Sequence, residues 1–192
     1  MKRLVLATGI LALAAPLALA QTSTWTSDPN HSEVDFSISH MTVSNVHGRL
    51  GHVAATIVYD AADVTKSTVK ATIDVTGLDT GEEPRNNHLK TADFFDVANF
   101  ATATFTSTSV SKSGSGLTIN GNLTLHGVTK PVVLTADGPR GPVESQMDHK
   151  SHAGFSATTT INRTDFGIGP KFPAAMVGND VKIDIELEVV KQ

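Results

Sequence analysis

The triplet Asp79-Thr80-Gly81 matches the Asp-Thr-Gly that carries the carboxylates of aspartic proteases. Those enzymes need two carboxyl groups that share one proton. The chain contains one such triplet, so a protease would require a dimer. Glu82, Glu83 and Pro84 follow it, where proteases usually have small or apolar residues. The sequence therefore disfavours peptide-bond chemistry.

The eight histidines raise the possibility of a metal site. Zinc sites need three or four ligands at a recognisable spacing. His149 and His152 are three residues apart, so on one strand they point to opposite faces. The other histidines are scattered and lack a Cys or a His-Glu-x-x-His frame: His31, His40, His47, His52, His88 and His126. We predict no metal and no cofactor. Because the chain also lacks a P-loop and a Gly-x-Ser-x-Gly elbow, we predict that it is not an enzyme.

Three arginines are candidates to contact an anionic or polar head group, because guanidinium binds phosphate with two parallel hydrogen bonds. They are Arg49, Arg85 and Arg163. Acidic residues stand near them in the sequence, among them Asp93, Asp96 and Asp165. For each of these arginines the sequence favours a structural ion pair at the rim over head-group binding, because Arg suits such pairs equally well.

The segment 85–105 does not alternate like a strand, and it holds four of the eight phenylalanines. Glu82, Glu83 and Pro84 just before it and Lys90 at the end of its first half favour a short helix. Thr91 can cap a second turn that carries Phe94 and Phe95. The pattern predicts a helical plug or lid that leads into a strand.

Around this segment, apolar and polar residues alternate in runs typical of half-buried strands. The clearest run is 181–189, with apolar side chains at every second position. Ser113–Gly116 and His126-Gly127 are predicted hairpin turns. Residues 137–142 are predicted to break the sheet, and Pro131 to lie at a strand start or edge. About eight antiparallel strands in one domain close most economically into a barrel.

Residues 1–20 have the pattern of an export signal. Lys2 and Arg3 precede a short apolar stretch, and Ala18-Leu19-Ala20 is a typical cleavage site. The chain has 15 basic and 19 acidic residues; without Lys2 and Arg3 the balance is 13 against 19, a net charge of −6. This balance disfavours nucleic acid and anionic membranes as partners. We expect a single mature domain, residues 21–192, without disulfides because the chain has no Cys.

Several motifs, taken in order, resemble the YceI-like polyisoprenoid-binding proteins over nearly all of the mature chain. They are Asp28-Pro-Asn-His-Ser32, Ser39-His40, Gly48-Arg49, Leu78-Asp-Thr-Gly81, Arg85-Asn-Asn-His-Leu89, Asp93-Phe-Phe-Asp96, Leu123–Pro131, Gly154–Gly167 and Val177–Ile183. The resemblance implies an exported, lipocalin-like, eight-stranded antiparallel β-barrel with a short helical cap. It also implies that the apolar interior holds a long isoprenoid or similar lipid, that Asp79-Thr80-Gly81 is a strand-end turn, and that a homodimer is possible.

The sequence departs from the family pattern at three positions. His152 stands where Arg is usual, Ala101 where Pro is usual, and Asn86 where Asp is usual. These departures put in question the polar contacts that the usual residues would make.

The predicted function is carriage or storage of one long apolar lipid in the periplasm, without stable membrane insertion. The predicted pocket residues are Val34, Phe36, Ile38, Ile57, Leu89, Phe94, Phe95, Phe105, Leu123, Leu125, Phe155, Phe166, Met176, Ile183 and Ile185. Small residues among the stripes, such as Ala71 and Gly121, are expected to leave room for the ligand. Two alternatives remain: a structural or stress-protein barrel filled by its own side chains, and an enzyme that acts on isoprenoid-type lipids.

Overall fold

The computed structural model describes residues 22–192, and the predicted export signal lies outside them. Within these residues lie nine strands and one α-helix: β1 Thr22–His40, β2 Ser44–Arg49, β3 Val53–Asp60, β4 Thr68–Asp74, α1 Glu83–Leu89, β5 Thr102–Ser113, β6 Gly116–Leu125, β7 Val128–Glu144, β8 Ser151–Asn162 and β9 Val177–Lys191. Short 3₁₀ turns lie at Val64–Lys66, Val75–Gly77 and Arg163–Phe166. In the part of the chain that the structure describes, no helix reaches the length and hydropathy of a membrane span.

The sheet closes on itself because β1 is paired along both of its edges. One edge pairs antiparallel with β9, from Trp25↔Lys191 to His40↔Val177. The other edge pairs with β3 through Thr22–Thr26 and with β2 through Asp35–His40. Strands β2 and β3 thus share one position, and the ring has eight positions. The predicted eight-stranded antiparallel barrel with a short helical cap is confirmed.

Apolar residues alternate into the barrel as the sequence pattern predicts. Val34 and Phe36 on β1 are buried, whereas their neighbour Asp35 is only partly covered. Ile183 on β9 is buried between the exposed Lys182 and Asp184. Since the side-chain period of a strand is two, a register slip of one residue would turn the apolar set to solvent. Burial of one face therefore fixes the register of each ladder.

The prediction that residues 137–142 break the sheet is wrong. Strand β7 runs through them without interruption, and the turn to β8 lies at residues 145–150 instead. The β7–β8 register shifts twice, between Asp137 and Arg140 and again between Arg140 and Val143. Extra residues in a strand can be taken up as bulges that bend it without ending it. The Gly-Pro pairs in this stretch are accommodated at these shifts.

The wall of the barrel is split between β7 and β8 on the side of the helical cap. The β7–β8 ladder ends at the pair Thr135↔Thr158, so the first half of β7 pairs only with β6. A groove of about 700 Å³ lies between the diverging strands. Pro131 lies on this unpaired edge, opposite Asn122 of β6. Its missing N–H costs no ladder hydrogen bond there, as expected of proline at an edge.

A matched pair of substitutions on β9 tests the inside–outside register. Ile183→Asn places an amide in the apolar interior and removes a buried side chain, so we expect a loss of about 3 kcal/mol or more in the free energy of unfolding. Lys182→Asn introduces the same side chain on the outer face and should stay within about 0.5 kcal/mol of wild type. Urea unfolding measures both. Equal costs for the two variants would show that the register is wrong.

Candidate apolar ligand site

An apolar cavity of about 280 Å³ lies under the helical cap. We call this the upper cavity, and the end of the barrel that carries it the cap end. Eight of the predicted pocket residues line it: Phe36, Ile38, Leu89, Phe94, Phe95, Leu125, Met176 and Ile183. They come from the cap ends of β1, β6 and β9, from α1 and the turns after it, and from the loop before β9.

A second, smaller cavity of about 120 Å³ lies deeper in the barrel. This inner cavity is lined by Val34, Ile57, Phe105, Leu123, Leu125, Phe155, Ile183 and Ile185 from the predicted set. Leu50, Leu125 and Ile183 line both cavities and therefore stand where the two meet. The fold thus brings fourteen of the fifteen predicted pocket residues to one apolar interior.

Phe166 is the exception among the predicted pocket residues. It lies in the 3₁₀ turn after β8 and is buried in the core, but it lines the β7–β8 groove and neither cavity. Its carbonyl oxygen lies 3.0 Å from Nδ1 of His126. Phe166 therefore closes the barrel at the top of the split wall. The prediction placed it in the pocket because the sequence could not show which side of this turn faces the interior.

Small residues open space in the inner cavity at some positions and accommodate neighbouring side chains at others. Ala71 and Ala157 line the inner cavity, as expected. Gly121 does not leave room for a ligand. A Cβ atom on Gly121 would lie 2.3 Å from the ring of Phe105, on the neighbouring strand. The absence of a side chain at residue 121 therefore lets the Phe105 ring lie across β6.

The helix α1 is tied to the Asp79-Thr80-Gly81 turn by side-chain hydrogen bonds. Arg85 donates to the hydroxyl and the carbonyl oxygen of Thr80, each at 2.7 Å. Asn86 accepts from the backbone N–H of Thr80 at 2.8 Å and donates to Asp79 at 2.7 Å. Hydrogen bonds from the N–H of Gly81 and from Asn86 lower the pKa of Asp79. The triplet that resembles a protease motif thus has a structural role.

Asn86 explains one departure from the family pattern. Its amide accepts hydrogen bonds from Thr80 and also donates one to the Asp79 carboxylate. An ionised Asp is an acceptor only and could not make the second contact. Asn at residue 86 can therefore donate a hydrogen bond to the Asp79 carboxylate, which an ionised Asp at this position could not do.

The roof of the upper cavity is a contact between the cap, residues 83–100, and the closing loop, residues 163–176. Phe94 and Phe172 stack with their centroids 4.7 Å apart and their planes at 12°. The His88 ring meets Phe94 edge-on at 5.2 Å. On the outside, Asp93 pairs with Lys171 of the loop and with His88 of the helix, and these two partners lower its pKa. Aromatic packing on the inner side and ion pairs on the outer side therefore hold the cap in place.

Arg163 is one of three predicted head-group residues, but its donors are already used. The side chain is buried, with 2% of its surface exposed. Its donors bond to oxygens that line the closing loop and the start of β9: the carbonyls of Ile168, Gly169, Phe172, Val177 and Gly178, and the Asn179 side chain. Burial lowers its pKa. Since a guanidinium has five N–H donors, none is left for a ligand. Arg163 is therefore a structural residue of the closing loop and not a head-group ligand.

The other two arginines differ in position. Arg49 lies on the outside of the barrel, paired with Glu33 and Asp35. It lines neither cavity. Arg85 lies at the rim of the upper cavity beside Ser39, His40 and His88. Arg163 also lines this cavity, but its donors are used within the protein, so Arg85 is the predicted head-group residue that remains a candidate there. The ion pairs expected with Asp96 and Asp165 are absent from the described residues; Asp93 pairs with Lys171 and His88 instead.

Phe172, Leu50 and the polar residues at the rim of the upper cavity were not predicted as site residues. Phe172 lies between two prolines in Gly169-Pro-Lys-Phe-Pro173, a pattern typical of a loop. An aromatic residue in such a loop was the one sequence feature that could have marked Phe172 as a site residue. Leu50 follows β2 outside any alternating run, so no periodicity marked it. His40, His88 and Ser39 could not be assigned to the rim without the tertiary fold.

Histidine and acidic side chains gather at the far end of the barrel, away from the cavity mouth. Nδ1 of His152 lies 2.7 Å from Glu188, and its Nε2 lies 3.1 Å from Asp148. Hydrogen bonds to these two carboxylates raise the pKa of His152. Within residues 22–192, Asp28, His31 and Glu188 form the one group whose ligand atoms lie within 4.8 Å of one another. Ion pairs give these side chains partners, Asp28 with His31 and Glu188 with His152, and the absence of a metal stays a prediction.

Comparison with known proteins places this arrangement in a family. Residues 25–189 match the family model described as a YceI-like domain. A UPF0312 protein of Shewanella baltica is 37% identical over 163 residues, which cover 84% of this chain and 83% of the relative. The crystal structure of a Campylobacter jejuni YceI protein is similar, with a TM-score of 0.71 and 30% identity over 81% of this chain and 90% of that one.

A more distant solved structure is a polyisoprenoid-binding domain from Saccharophagus degradans implicated in plant cell wall breakdown. Its TM-score is 0.61 at 17% identity, and the match covers 88% of this chain and 98% of that one. At this identity the likeness concerns the fold alone.

The stacked pair Phe94–Phe172 can be tested by a double-mutant cycle. Phe94→Ala should lower the free energy of unfolding by roughly 3–5 kcal/mol, and Phe172→Ala by less, because Phe172 is only partly buried. Because stacked aromatic pairs contribute beyond their buried area, we expect a coupling of about 0.5–1.5 kcal/mol. Urea unfolding of wild type, the two single variants and the double variant measures it.

Phe105 supplies the control for this cycle, because its ring belongs to a different cluster of the core than Phe94. The costs of Phe94→Ala and Phe105→Ala should add within about 0.5 kcal/mol, as expected of residues that share no contact. Additivity of Phe94→Ala and Phe172→Ala as well would contradict the stacked roof.

The His152 ion pairs predict a pH-dependent stability. A pKa raised in the folded state means that the stabilisation is complete below the ordinary pKa of about 6.5 and is lost as pH rises through the folded-state value. The stability difference between wild type and His152→Gln should therefore be largest in mildly acidic buffer and shrink as the pH becomes alkaline. Denaturant melts across this range measure it. His149→Gln, an exposed change in the preceding turn, is the control; the same pH dependence in both variants would contradict the assignment.

Proposed function

The chain belongs to the YceI-like family, and from this premise we propose that it binds one long apolar lipid chain inside its barrel. The observation that carries the proposal is the pair of adjoining cavities whose walls are almost entirely hydrocarbon. A closed barrel of eight strands is wide enough for one small ligand. A pocket with apolar walls and a few polar groups at one end is the usual form of a site for an amphipathic molecule.

The polar groups suggest how the ligand is oriented. Arg85, His88 and Ser39 lie at the rim of the upper cavity, and the inner cavity is apolar except for a few hydroxyls. A head group would therefore lie under the cap beside Arg85. The hydrocarbon chain would run past Leu50, Leu125 and Ile183 into the inner cavity. Phe94 and Phe95 would cover the first part of the chain.

A polyisoprenoid is the ligand class that we propose. The support is the apolar lining together with the fold shared with the Saccharophagus degradans domain, which is described as polyisoprenoid-binding. Burial gains about 0.8 kcal/mol for each methylene, while ordering a long chain opposes binding. The net result should be tight binding and slow release. Such a protein would carry or store the lipid.

We propose a periplasmic location, with the chain cleaved after Ala20. The support is the basic start, the apolar stretch and the small residues at 18–20. Carriage of a water-insoluble lipid across an aqueous compartment is a task that suits an exported barrel.

A reaction on the lipid is the weaker alternative. A catalytic base at the rim would need a nucleophile or a proton donor within hydrogen-bond distance. Among residues 22–192, the His88 ring has one hydrogen-bond partner, Asp93, and that carboxylate is also paired with Lys171. No carboxylate from this part of the chain lines the upper cavity. We therefore propose binding without chemistry.

Filling the inner cavity tests where the chain lies. Ala157→Leu adds three carbons to the wall of the inner cavity, so the end of a long prenyl chain should be displaced. Losing about two buried methylenes lowers affinity roughly tenfold. A short prenyl alcohol that fits in the upper cavity should bind within about twofold of wild type. Delipidated protein and fluorescent prenyl analogues of two lengths provide the measurement.

Thr158→Leu is the matched control, because residue 158 is exposed on the outer face of the same strand. Thr158→Leu should leave the affinities for the long and the short prenyl analogue unchanged. Overpacking by Ala157→Leu can cost about 1–3 kcal/mol of stability, so a denaturant melt confirms that the variant is folded during the assay. Unchanged affinity of folded Ala157→Leu for the long chain would show that the inner cavity does not hold it.

A further inference from the structure

Two uncharged loops project beside the mouth of the upper cavity. They are residues 41–46, Met-Thr-Val-Ser-Asn-Val, with the first residues of β2, and residues 173–178, Pro-Ala-Ala-Met-Val-Gly, with the first residues of β9. We call these two loops the lip. Its large side chains are exposed: 56% for Met41, 82% for Val43 and 50% for Met176. Exposed apolar side chains that lie close together commonly mark a contact surface.

The two loops form one unit because their backbones are bonded to each other. The N–H of Met41 donates to the carbonyl oxygen of Met176 at 2.8 Å. His40 pairs with Val177 where β1 meets β9, and the N–H groups of Met176 and Val177 both donate to Pro173. The apolar side chains are therefore presented by a connected backbone.

The turn at the tip has a conformation that its residues do not favour. Met41 and Thr42 have φ angles of 52° and 61°, and the N–H of Val43 bonds to the carbonyl oxygen of His40. A tight turn with two positive φ angles is usually made by Asn-Gly or a similar pair. A β-branched residue such as Thr is rare in this region. Asn or Gly would suit this turn better than the Met and Thr that the chain has there.

The lip is continuous with the wall of the upper cavity. Met176, Val177 and Val46 line that cavity from the inside. The same loops expose Met41, Val43 and part of Met176 to the outside. Across the mouth, the rim is polar and carries Arg85, His88 and the Asp93–Lys171 pair. The lip therefore presents apolar side chains both inside and out, and the polar Ser39 and His40 line the cavity just before it on β1.

We propose that the lip docks reversibly on the surface of a lipid bilayer, so that a lipid can pass between the bilayer and the upper cavity. This inference rests on the proposed function, because a bilayer is the source of a chain that is insoluble in water. The lip has no Lys or Arg, and the mature chain, with 13 basic against 19 acidic residues, is acidic overall. Attraction to anionic lipid is therefore not the driving force. Docking should depend on burying the apolar side chains in the interface.

A second copy of the chain is a poorer occupant of the lip. A stable protein interface buries about 800 Å² on each partner. Three exposed apolar side chains at the tips of two loops supply only a small part of such an area. They have the form of a wedge, which suits shallow entry into a fluid surface.

The test compares two double variants of the mature protein. Met41→Ser with Val43→Ser removes the lip side chains that line neither cavity. Val133→Ser with Met147→Ser is the matched control: it removes the same residue types where they are 52% and 96% exposed elsewhere on the barrel. Co-sedimentation with phosphatidylcholine vesicles measures docking. Transfer of a fluorescent prenyl alcohol from the vesicles to delipidated protein measures loading.

For the lip variant we expect vesicle binding and the transfer rate to fall about tenfold or more, since two apolar side chains no longer enter the interface. Its affinity for the same alcohol supplied from cyclodextrin should remain within about twofold of wild type. The control variant should match wild type in every assay. Adding anionic lipid to the vesicles should not strengthen docking.

Equal transfer rates for wild type and the lip variant would overturn the proposal, and so would an equal loss in the control variant. A wild-type dimer that the lip variant dissociates, with vesicle binding unchanged, would instead assign the lip to self-association. The proposed function has a separate readout. If wild type binds no prenyl alcohol from cyclodextrin while the lip still governs vesicle binding, the docking surface stands and the proposed ligand is wrong.

Discussion

The buried guanidinium of Arg163 organises the cap end of the barrel. It carries a positive charge into the protein, has no carboxylate partner among residues 22–192, and is stabilised by carbonyl oxygens from the closing loop and the start of β9. An uncompensated buried charge is costly, so the loop must keep these oxygens in place. Phe172 and Met176 lie on the same loop, and the roof and lip of the cavity depend on its path.

The same arrangement explains why the upper cavity is apolar. The loop directs its backbone oxygens at Arg163 and its side chains at the cap, where Phe172 stacks on Phe94. Polar contacts between cap and loop lie outside, at Asp93 and Lys171. The loop carbonyls of Ile168, Gly169 and Phe172 are thus satisfied by the Arg163 guanidinium. The barrel supplies the wall of the cavity, and the cap and the closing loop supply its roof.

Much of the fold could be predicted from the sequence, because strand alternation is a local pattern. The run from Val181 to Val189 located β9 and its inward face, and Glu83, Pro84 and Lys90 located α1. The prediction that residues 137–142 break the sheet was wrong, because Gly and Pro mark turns in most contexts and bulges in only a few. Whether a long strand continues through them depends on its neighbours in the sheet, which the sequence does not display.

The site was predictable where residues lie on strands and unpredictable where they lie in loops. Phe36 and Ile185 point inward because of their position in an alternating run. Arg163 looked like a head-group ligand because its partners are backbone oxygens, and backbone acceptors leave no trace in the sequence. Gly121 was predicted to leave room for the ligand, because Phe105, which fills that space, is distant along the chain. The family resemblance supplied the ligand class, which alternation alone does not.

The most direct test of the account is native mass spectrometry of the protein purified without detergent from the periplasm of cells that express the full sequence. We expect a complex of one chain beginning at Gln21 with one apolar lipid, and a prenyl chain in the organic extract of the same sample. Polypeptide alone in the native spectrum, with no lipid in the extract, would contradict it.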